Sequence, residues 1–425
     1  MLEGFYKKTK AERLDAIQEL CGLTQEGRAV FEQAGSLSFE TADHMVENLL
    51  GIYGVPLGLG LNMRMNGRDY LVPMATEEPS VIAAQSGAGK LIRQAGGMKA
   101  ESSSREMTGQ IELSGIQNVE KSRAAILAQK TELLVLANNA YPSLQKRGGG
   151  ATDLTVRVVE TVRETLLVVH IAVVTLEAMG ANMINTMAEA LAPKLEELSS
   201  GTAEMRILTN LVDQATATAQ CVIPADLLAG KGFNGEEVRD RIVRAYEFAA
   251  ADIYRATTHN KGIMNGVDAV VLAFGNDTRA VEAAAHAYAA RTGRYQPMSS
   301  WSVSEAGELV GELTLPMPVA TVGGSIGIVP LASLSKKISG VKTASELAQL
   351  IVSVGLAQNF AALRALVTEG IQRGHLSLQA KSTAIAAGAE GEEVERVAKA
   401  LLENRRVSLS TATEILQEIR DKSSR

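Results

Sequence analysis

Aromatic side chains are scarce: Phe, Tyr and Trp make up 4% of the sequence, with a single Trp. Any core must therefore be built from Ala, Leu, Val, Ile and Met. Cysteine is almost missing too. Cys21 and Cys221 lie far apart, which excludes a thiolate metal cluster and fits a reducing cytosol better than a disulfide scaffold. An excess of positive charge is lacking. The formal charge of −6 argues against a nucleic-acid surface, because phosphate contacts need clustered Lys and Arg. Long apolar runs are lacking as well: Leu166 to Leu176 reads as the longest, is broken by His170, and is too short to span a bilayer. No basic, then apolar, then small-residue leader opens the chain. The expectation is a cytoplasmic protein with neither a nucleic-acid nor a membrane partner.

What is present suits a multidomain globular protein. The 425 residues exceed one ordinary core, so two or three domains are expected. The first hundred residues read as mixed helix and loop. Residues 11–23 are amphipathic, with Leu14, Ile17 and Leu20 at helical spacing. Pro79 suits the first turn of a helix running towards Ile92. Then the pattern sharpens. Residues 106–116 alternate as a strand, 118–136 have helical periodicity, and 139–150 form a loop ending in three glycines. Residues 154–158 and 166–174 read as strands, 182–198 as a helix, and 205–208 and 215–223 as strands. This order, β-α-β-β-α-β plus one strand, is a split β-α-β pattern of ferredoxin type. No G-x-G-x-x-G follows a strand, so a Rossmann domain is not indicated. Residues 238–254 and 280–290 are helical, 309–322 look like strands joined by turns, and 344–373 are mostly helical. After His375 come short charged helices, the last with a capping-box signature at Thr411 and Glu414.

Few motifs carry chemistry unaided. Gly87-Ala-Gly-Lys90 imitates a phosphate loop, but Ala84 stands where a Gly is required and Leu91 where a Ser or Thr should hold magnesium. Glu77 and Glu78 interrupt an apolar run, so at least one is expected to be buried, with a raised pKa suited to a general acid. In His259-Asn-Lys-Gly-Ile-Met-Asn-Gly266, turn chemistry would explain Asn and Gly but not the intervening Lys261. Asp277, at a helix start, fits a cap. His375 falls where a helix is expected to end, which would suit a dipole partner as well as an acid. A Glu, a Lys, an Asp and a His are what carbonyl reduction needs, but composition cannot bring them together.

Six stretches, in order, resemble the class II (bacterial and archaeal) 3-hydroxy-3-methylglutaryl-CoA reductases. They are Glu47-Asn-Leu-Leu-Gly51, Thr76-Glu-Glu-Pro-Ser80, Ala178-Met-Gly-Ala-Asn182, His259 to Gly266, Gly275-Asn-Asp277 and Gly374-His375. The resemblance implies an α+β multidomain fold. Its parts would be a large, mixed helical substrate domain (1–105 and 214–374), an inserted ferredoxin-like dinucleotide domain (106–213) and a helical C-terminal flap (375–425). It implies Glu78, Lys261, Asp277 and His375 as catalytic residues, with His375 protonating the departing thiolate. Ser80 and Arg255 would hold the glutaryl carboxylate, with Asn210, Asn265 and Gln358 as further polar contacts. Glu177, Met179, Gly180 and Asn182 would bind the dinucleotide; Glu177 stands where the family commonly has Asp. In the loop before the glycines, Tyr141 takes the place of an acidic residue of NADH users, and Lys146-Arg147 would attract a ribose 2′-phosphate. The expected cofactor is thus NADPH, with NADH possible and no metal. The expected ligands are the thioester, mevalonate and CoA, and the expected assembly is a homodimer or dimer-based oligomer with shared sites. The same residues would serve mevalonate oxidation with NAD. A catalytically inactive CoA-ester-binding protein is the reading from another class.

Overall fold

A computed structural model describes residues 2, 4–33, 37–230, 232–368, 370–404 and 406–423, the side chains of 371–378, 422 and 423 excepted. The chain opens with α1 (Lys10–Cys21), α2 (Gln25–Glu32) and α3 (Phe39–Asp43). Leu14 and Ile17 of α1 are buried as the spacing predicts, but Leu20 is exposed. The stretch expected as loop then forms an antiparallel hairpin of β1 (Leu57–Met65) and β2 (Arg68–Ala75). Its glycines obscured the strand pattern, yet they admit the next helix. A Cβ on Gly60 would lie 2.4 Å from the Gln85 side chain. That helix, α4 (Val81–Gln94), starts later than Pro79 suggested: Ser80 is its N-cap. β3 (Lys99–Ser102) follows.

The next elements are β4 (Glu106–Ser114), α5 (Val119–Ala128), α6 (Lys130–Ala140), α7 (Pro142–Gln145), β5 (Gly150–Glu160), β6 (Thr165–Val174), α8 (Ala181–Ser199) and β7 (Thr202–Leu208). The strands form one antiparallel sheet in the order β5-β6-β4-β7. This is the split β-α-β arrangement expected from the pattern. The expected helix 118–136 breaks at Gln129 into α5 and α6, and the loop 139–150 contains the turn α7. Met107, Ile111, Val169, Ile171, Ile184 and Leu191 fill a core between sheet and helices.

The remaining elements up to residue 367 are β8 (Thr216–Ile223), α9 (Ala225–Leu228), α10 (Gly235–Ala251), α11 (Ile253–Ala273), α12 (Thr278–Ala289), β9 (Ser299–Val303), β10 (Leu309–Pro316), α13 (Pro330–Ser339) and α14 (Ala344–Val367). A second sheet runs β3-β8-β10-β9, so the extra strand β8 belongs here rather than with β4–β7. In the 309–322 region only β10 is a strand. The His259–Gly266 stretch is not a turn but the middle of α11. Its glycines serve packing: a Cβ on Gly266 would lie 3.0 Å from the Cβ of Gln358 and 3.2 Å from the Val354 carbonyl, so α11 and α14 approach closely.

The longest apolar segment proves to be α14, which is long and apolar enough to cross a bilayer. Its Leu350, Val352, Val354, Leu356 and Phe360 are buried in the protein's own core. The helix expected over 344–373 ends at Val367, and a new one, α15 (Ile371–Ala386), begins after Gly370, whose φ of 78° turns the chain. His375 thus lies inside α15 and not at a helix C-terminus; its side chain is outside the described residues. α16 (Glu392–Glu403) and α17 (Leu409–Ser423) pack with α15 around Ala384, Val397, Leu401 and Leu416. The N–H of Thr411 is received by Ser408, which takes the capping place expected of Thr411.

Candidate active site

Three elements converge on a cavity of about 640 Å³ whose wall includes Glu78, Ser80, Arg255, Lys261, Asn265 and Gln358. Glu78 and Ser80 come from the turn between β2 and α4. Arg255, Lys261 and Asn265 stand on α11, where positions three or four apart share a face. Gln358 stands on α14. Ser80 sits at φ 81°, in the left-handed region. That conformation costs a non-glycine residue about 1–2 kcal/mol, and such strain collects at functional sites.

Lys261 Nζ donates to Glu78 Oε2 at 2.7 Å. The apolar neighbours of the two carboxylates turn inward, but Glu77 is exposed and the Glu78 side chain keeps 36% of its surface. The burial expected for one of them is therefore not found; the tight turn lifts both out of the core. Arg255 is half-buried, and that burial pushes its pKa down. Its guanidinium has no side-chain partner among the described residues, whereas its backbone N–H donates to Asp252. Gln358 Oε1 is buried and unpartnered among the described residues. The cavity thus offers an anion site beside a Lys–Glu pair.

Asp277 and Asn210 do not join this wall. Asp277 Oδ1 receives the N–H groups of Arg279 (2.9 Å) and Ala280 (3.2 Å), as a cap of α12 should. The Gly275 carbonyl before it accepts from the Ser325 hydroxyl at 2.9 Å, so the glycine-rich 322–327 turn braces this corner. Asn210 is exposed in the turn after β7.

The residues expected to bind the dinucleotide cluster elsewhere, around the start of α8. Gly180 is the N-cap, at φ 97°, with no side-chain cap; a Cβ there would lie 2.3 Å from Thr175 Cγ2. Only Gly fits, and the first N–H groups of α8 stay available for an anion. Asn182 is exposed in the first turn, and Met179 packs on the β4–β7 core. Gly149 lies against the Val174 carbonyl, which brings the loop with Tyr141, Lys146 and Arg147 alongside the strand that leads into α8. Lys146 and Arg147 are exposed, and Tyr141 is partly buried. The cradle suits a dinucleotide pyrophosphate with a basic flank. Among the described residues no group of three His, Cys, Asp or Glu could hold a metal.

Two side chains near these sites carried no sequence signal. Arg105, buried so that its pKa is pushed down, donates to the carbonyls of Leu176, Ala178 and Val319. It therefore ties the α8 approach to the segment after β10. Asn359 lies on the cavity wall beside Gln358.

The family model described as Hydroxymethylglutaryl-coenzyme A reductase matches residues 9–380. The chain belongs to the hydroxymethylglutaryl-coenzyme A reductase family. It is 45% identical over 420 residues to the 3-hydroxy-3-methylglutaryl-coenzyme A reductase of Archaeoglobus fulgidus, covering 99% of this chain and 94% of that one. The fold is similar to that of the reductase from Streptococcus pneumoniae, with a TM-score of 0.85 and 48% identity over 99% of this chain and 100% of that one. A further structure of the class II reductase from that organism, described as bound to NADPH in open conformations, has 50% identity and a TM-score of 0.84 over 86% of this chain and 100% of that one. The α+β multidomain fold of class II reductases is thus present, and the chain is a hydroxymethylglutaryl-CoA reductase, a nicotinamide-dependent oxidoreductase.

Proposed function

We propose that this reductase converts 3-hydroxy-3-methylglutaryl-CoA to mevalonate and CoA, through mevaldehyde, at the expense of two NADPH. The observation that carries this reading is the cavity wall, where the Arg255 guanidinium, without a side-chain partner among the described residues, lines the same cavity as the Lys261–Glu78 pair. Arg255 would grip the glutaryl carboxylate as a planar fork, with Ser80, Asn265 and Gln358 completing the contacts. A bound nicotinamide would supply the hydride for each reduction. Lys261 stabilises the negative charge that then grows on the carbonyl oxygen. Glu78 delivers a proton to the aldehyde oxygen in the second reduction. Asp277 would tune this pair from a neighbouring chain or after a shift, since within this chain its carboxylate caps α12. His375 protonates the departing thiolate, and residues 375–425 act as a flap. Asn210 would reach the substrate from the dinucleotide domain.

Residues 106–213 would bind the nucleotide and residues 1–105 with 214–374 the thioester. Glu177 would serve the nucleotide from just before α8, and the adjacent basic loop would receive the 2′-phosphate. The working form is a homodimer, supported by an apolar patch on the segment containing Glu47 to Gly51. Leu50 is 99% and Tyr53 91% exposed there, and such patches mark interfaces. The protein works in the cytoplasm.

The test is loss of nicotinamide absorbance on mixing protein, thioester and each reduced cofactor. NADPH should give the higher kcat/KM, and neutralising Lys146 and Arg147 together should weaken NADPH more than NADH. A wild type that prefers NADH would favour the oxidative direction instead.

A further inference from the structure

A buried polar cluster joins the two helices that face each other across the substrate cavity. His259 lies on α11, four residues after Arg255 and two before Lys261. Asn359 lies on α14, next to Gln358. Ser299 and Trp301 come from β9. All four are at most 3% exposed.

Donor and acceptor chemistry orients the amide at the centre of the cluster. Trp301 Nε1–H can only donate, and it does so to Asn359 Oδ1 at 2.7 Å. The Asn359 amide is thereby oriented, and its Nδ2 lies 3.2 Å from His259 Nε2. An amide nitrogen only donates, so this contact is a hydrogen bond only when His259 Nε2 accepts. In that arrangement the ring is neutral and its proton sits on Nδ1. The Ser299 hydroxyl donates to Asn359 Oδ1 at 2.9 Å and lies 2.7 Å from His259 Nε2. His259 Nδ1 itself is buried and has no partner among the described residues.

Around this cluster, α11 and α14 meet through small and apolar groups. Gly266 packs against Val354 and Gln358. Such contacts set how near two helices come but resist sliding weakly; directional hydrogen bonds set register. We propose that His259, resting on the substrate reading above, is a positioning residue. Held as a neutral acceptor by Asn359, it pins the α11 segment bearing Arg255 and Lys261 in register with the α14 segment bearing Gln358. The wall that grips the carboxylate and the wall that faces it are thereby kept at a fixed offset. Burial first, and the nearby Arg255 second, push the His259 pKa down to about 4. The pin therefore stays neutral while the enzyme works.

The test uses the full chain with ¹⁵N-labelled histidine. There are five histidines, and the His259 signal is the one lost in His259→Gln. That signal should report a proton on Nδ1, unchanged between about pH 6 and pH 8. His259→Leu, which removes the acceptor, should lower kcat/KM for the thioester by about 10²-fold, as a misplacement of about an ångström would. The KM for the nicotinamide should move less than about twofold. His259→Gln, which keeps an acceptor at similar reach, should recover to within about tenfold of the parent. If the Leu variant does not fold, His259→Asn withdraws the acceptor more gently and carries the same expectation. A proton on Nε2 overturns the proposal. So does a Leu variant with parental kcat/KM and only a lower unfolding midpoint, or a Gln variant as impaired as Leu. If the parent turns over no thioester, the substrate reading fails, while the tautomer is still decided by the nitrogen spectrum.

Discussion

The carboxylate of Glu177 receives the backbone N–H of Ala344 at 2.7 Å, where α14 begins. The same oxygen accepts from the Thr321 hydroxyl at 2.6 Å. A residue expected to serve the nucleotide thus also anchors the helix that carries Gln358. A negative charge at a helix N-terminus is favourable for both dipole and hydrogen-bond reasons. Glu177→Ala should destabilise the fold by about 1–2 kcal/mol and raise the KM for the nicotinamide. Glu177→Gln, which retains an acceptor, should lose less than about half of that stability. Urea midpoints for both variants decide the point; equal midpoints for Ala and wild type would remove the anchoring role.

Lys261→Ala separates chemistry from folding. The Lys261 side chain is 61% exposed, so its ion pair adds little to stability, within about 0.5 kcal/mol. As an oxyanion stabiliser it should matter much more, with kcat lower by at least about 10²–10³-fold. Stopped assays with matched circular dichroism read both quantities. A folded variant with more than a tenth of parental kcat, roughly, would exclude the assigned role.

Asp268 gives the fold a pH dependence of its own. It faces Glu282, whose carboxylate lies 2.7 Å from His286 Nε2. Burial, then the hydrogen bond and charge of Glu282, push the Asp268 pKa from 3.8 up to about 8. The folded chain therefore keeps a proton that the unfolded chain releases. The contribution is full below the ordinary carboxylate pKa and is lost as pH rises to about 8. Between these limits, stability should fall with rising pH, and Asp268→Asn should flatten the fall because its amide stays neutral. Denaturation midpoints taken at acidic, neutral and mildly alkaline pH measure the slope; the same slope in the variant would refute the cause.

The thiols should behave unequally. Cys221 is fully buried on β8, which pushes its pKa up to about 12. Cys21 is partly exposed and its pKa is raised by burial to a lesser degree. A thiolate-seeking reagent should modify Cys221 only after unfolding, because the thiolate is the nucleophile. Mass spectrometry of the native and urea-treated protein distinguishes them. Native labelling at Cys221 would mean that β8 opens readily.

The ferredoxin-like unit was legible because β4 alternates cleanly and most of its glycines, Gly109 within β4 excepted, sit at turns or element ends. The β1–β2 hairpin was not. Gly58 and Gly60 carry no side chain to mark the period, yet they are needed where Ile82 and Gln85 cross the strands. The His259–Gly266 stretch misled for a related reason: Gly266 reads as a turn but exists for helix contact. Among the residues that the resemblance named, six line one cavity. The capping by Asp277 was expected from its place at a helix start, but nothing revealed that Glu78 is lifted from the core or that Arg105 grips three carbonyls from distant segments. Those depend on long-range packing, which local pattern does not encode.

β3 and β8 are hydrogen-bonded neighbours, Ser102 opposite Ala217, although more than a hundred residues separate them in the chain. Ser103 completes the closure, its N–H reaching the Thr216 carbonyl while its hydroxyl receives the Thr216 N–H. The β4–β7 unit therefore leaves and re-enters through two adjacent strand ends, as an insert in a hairpin would. A tight turn could bridge those ends without disturbing the second sheet. The unit is in that sense a cassette: if it binds the coenzyme as proposed, exchanging it for the corresponding unit of a relative should carry coenzyme preference with it while the α11–α14 walls of the candidate cavity stay in place.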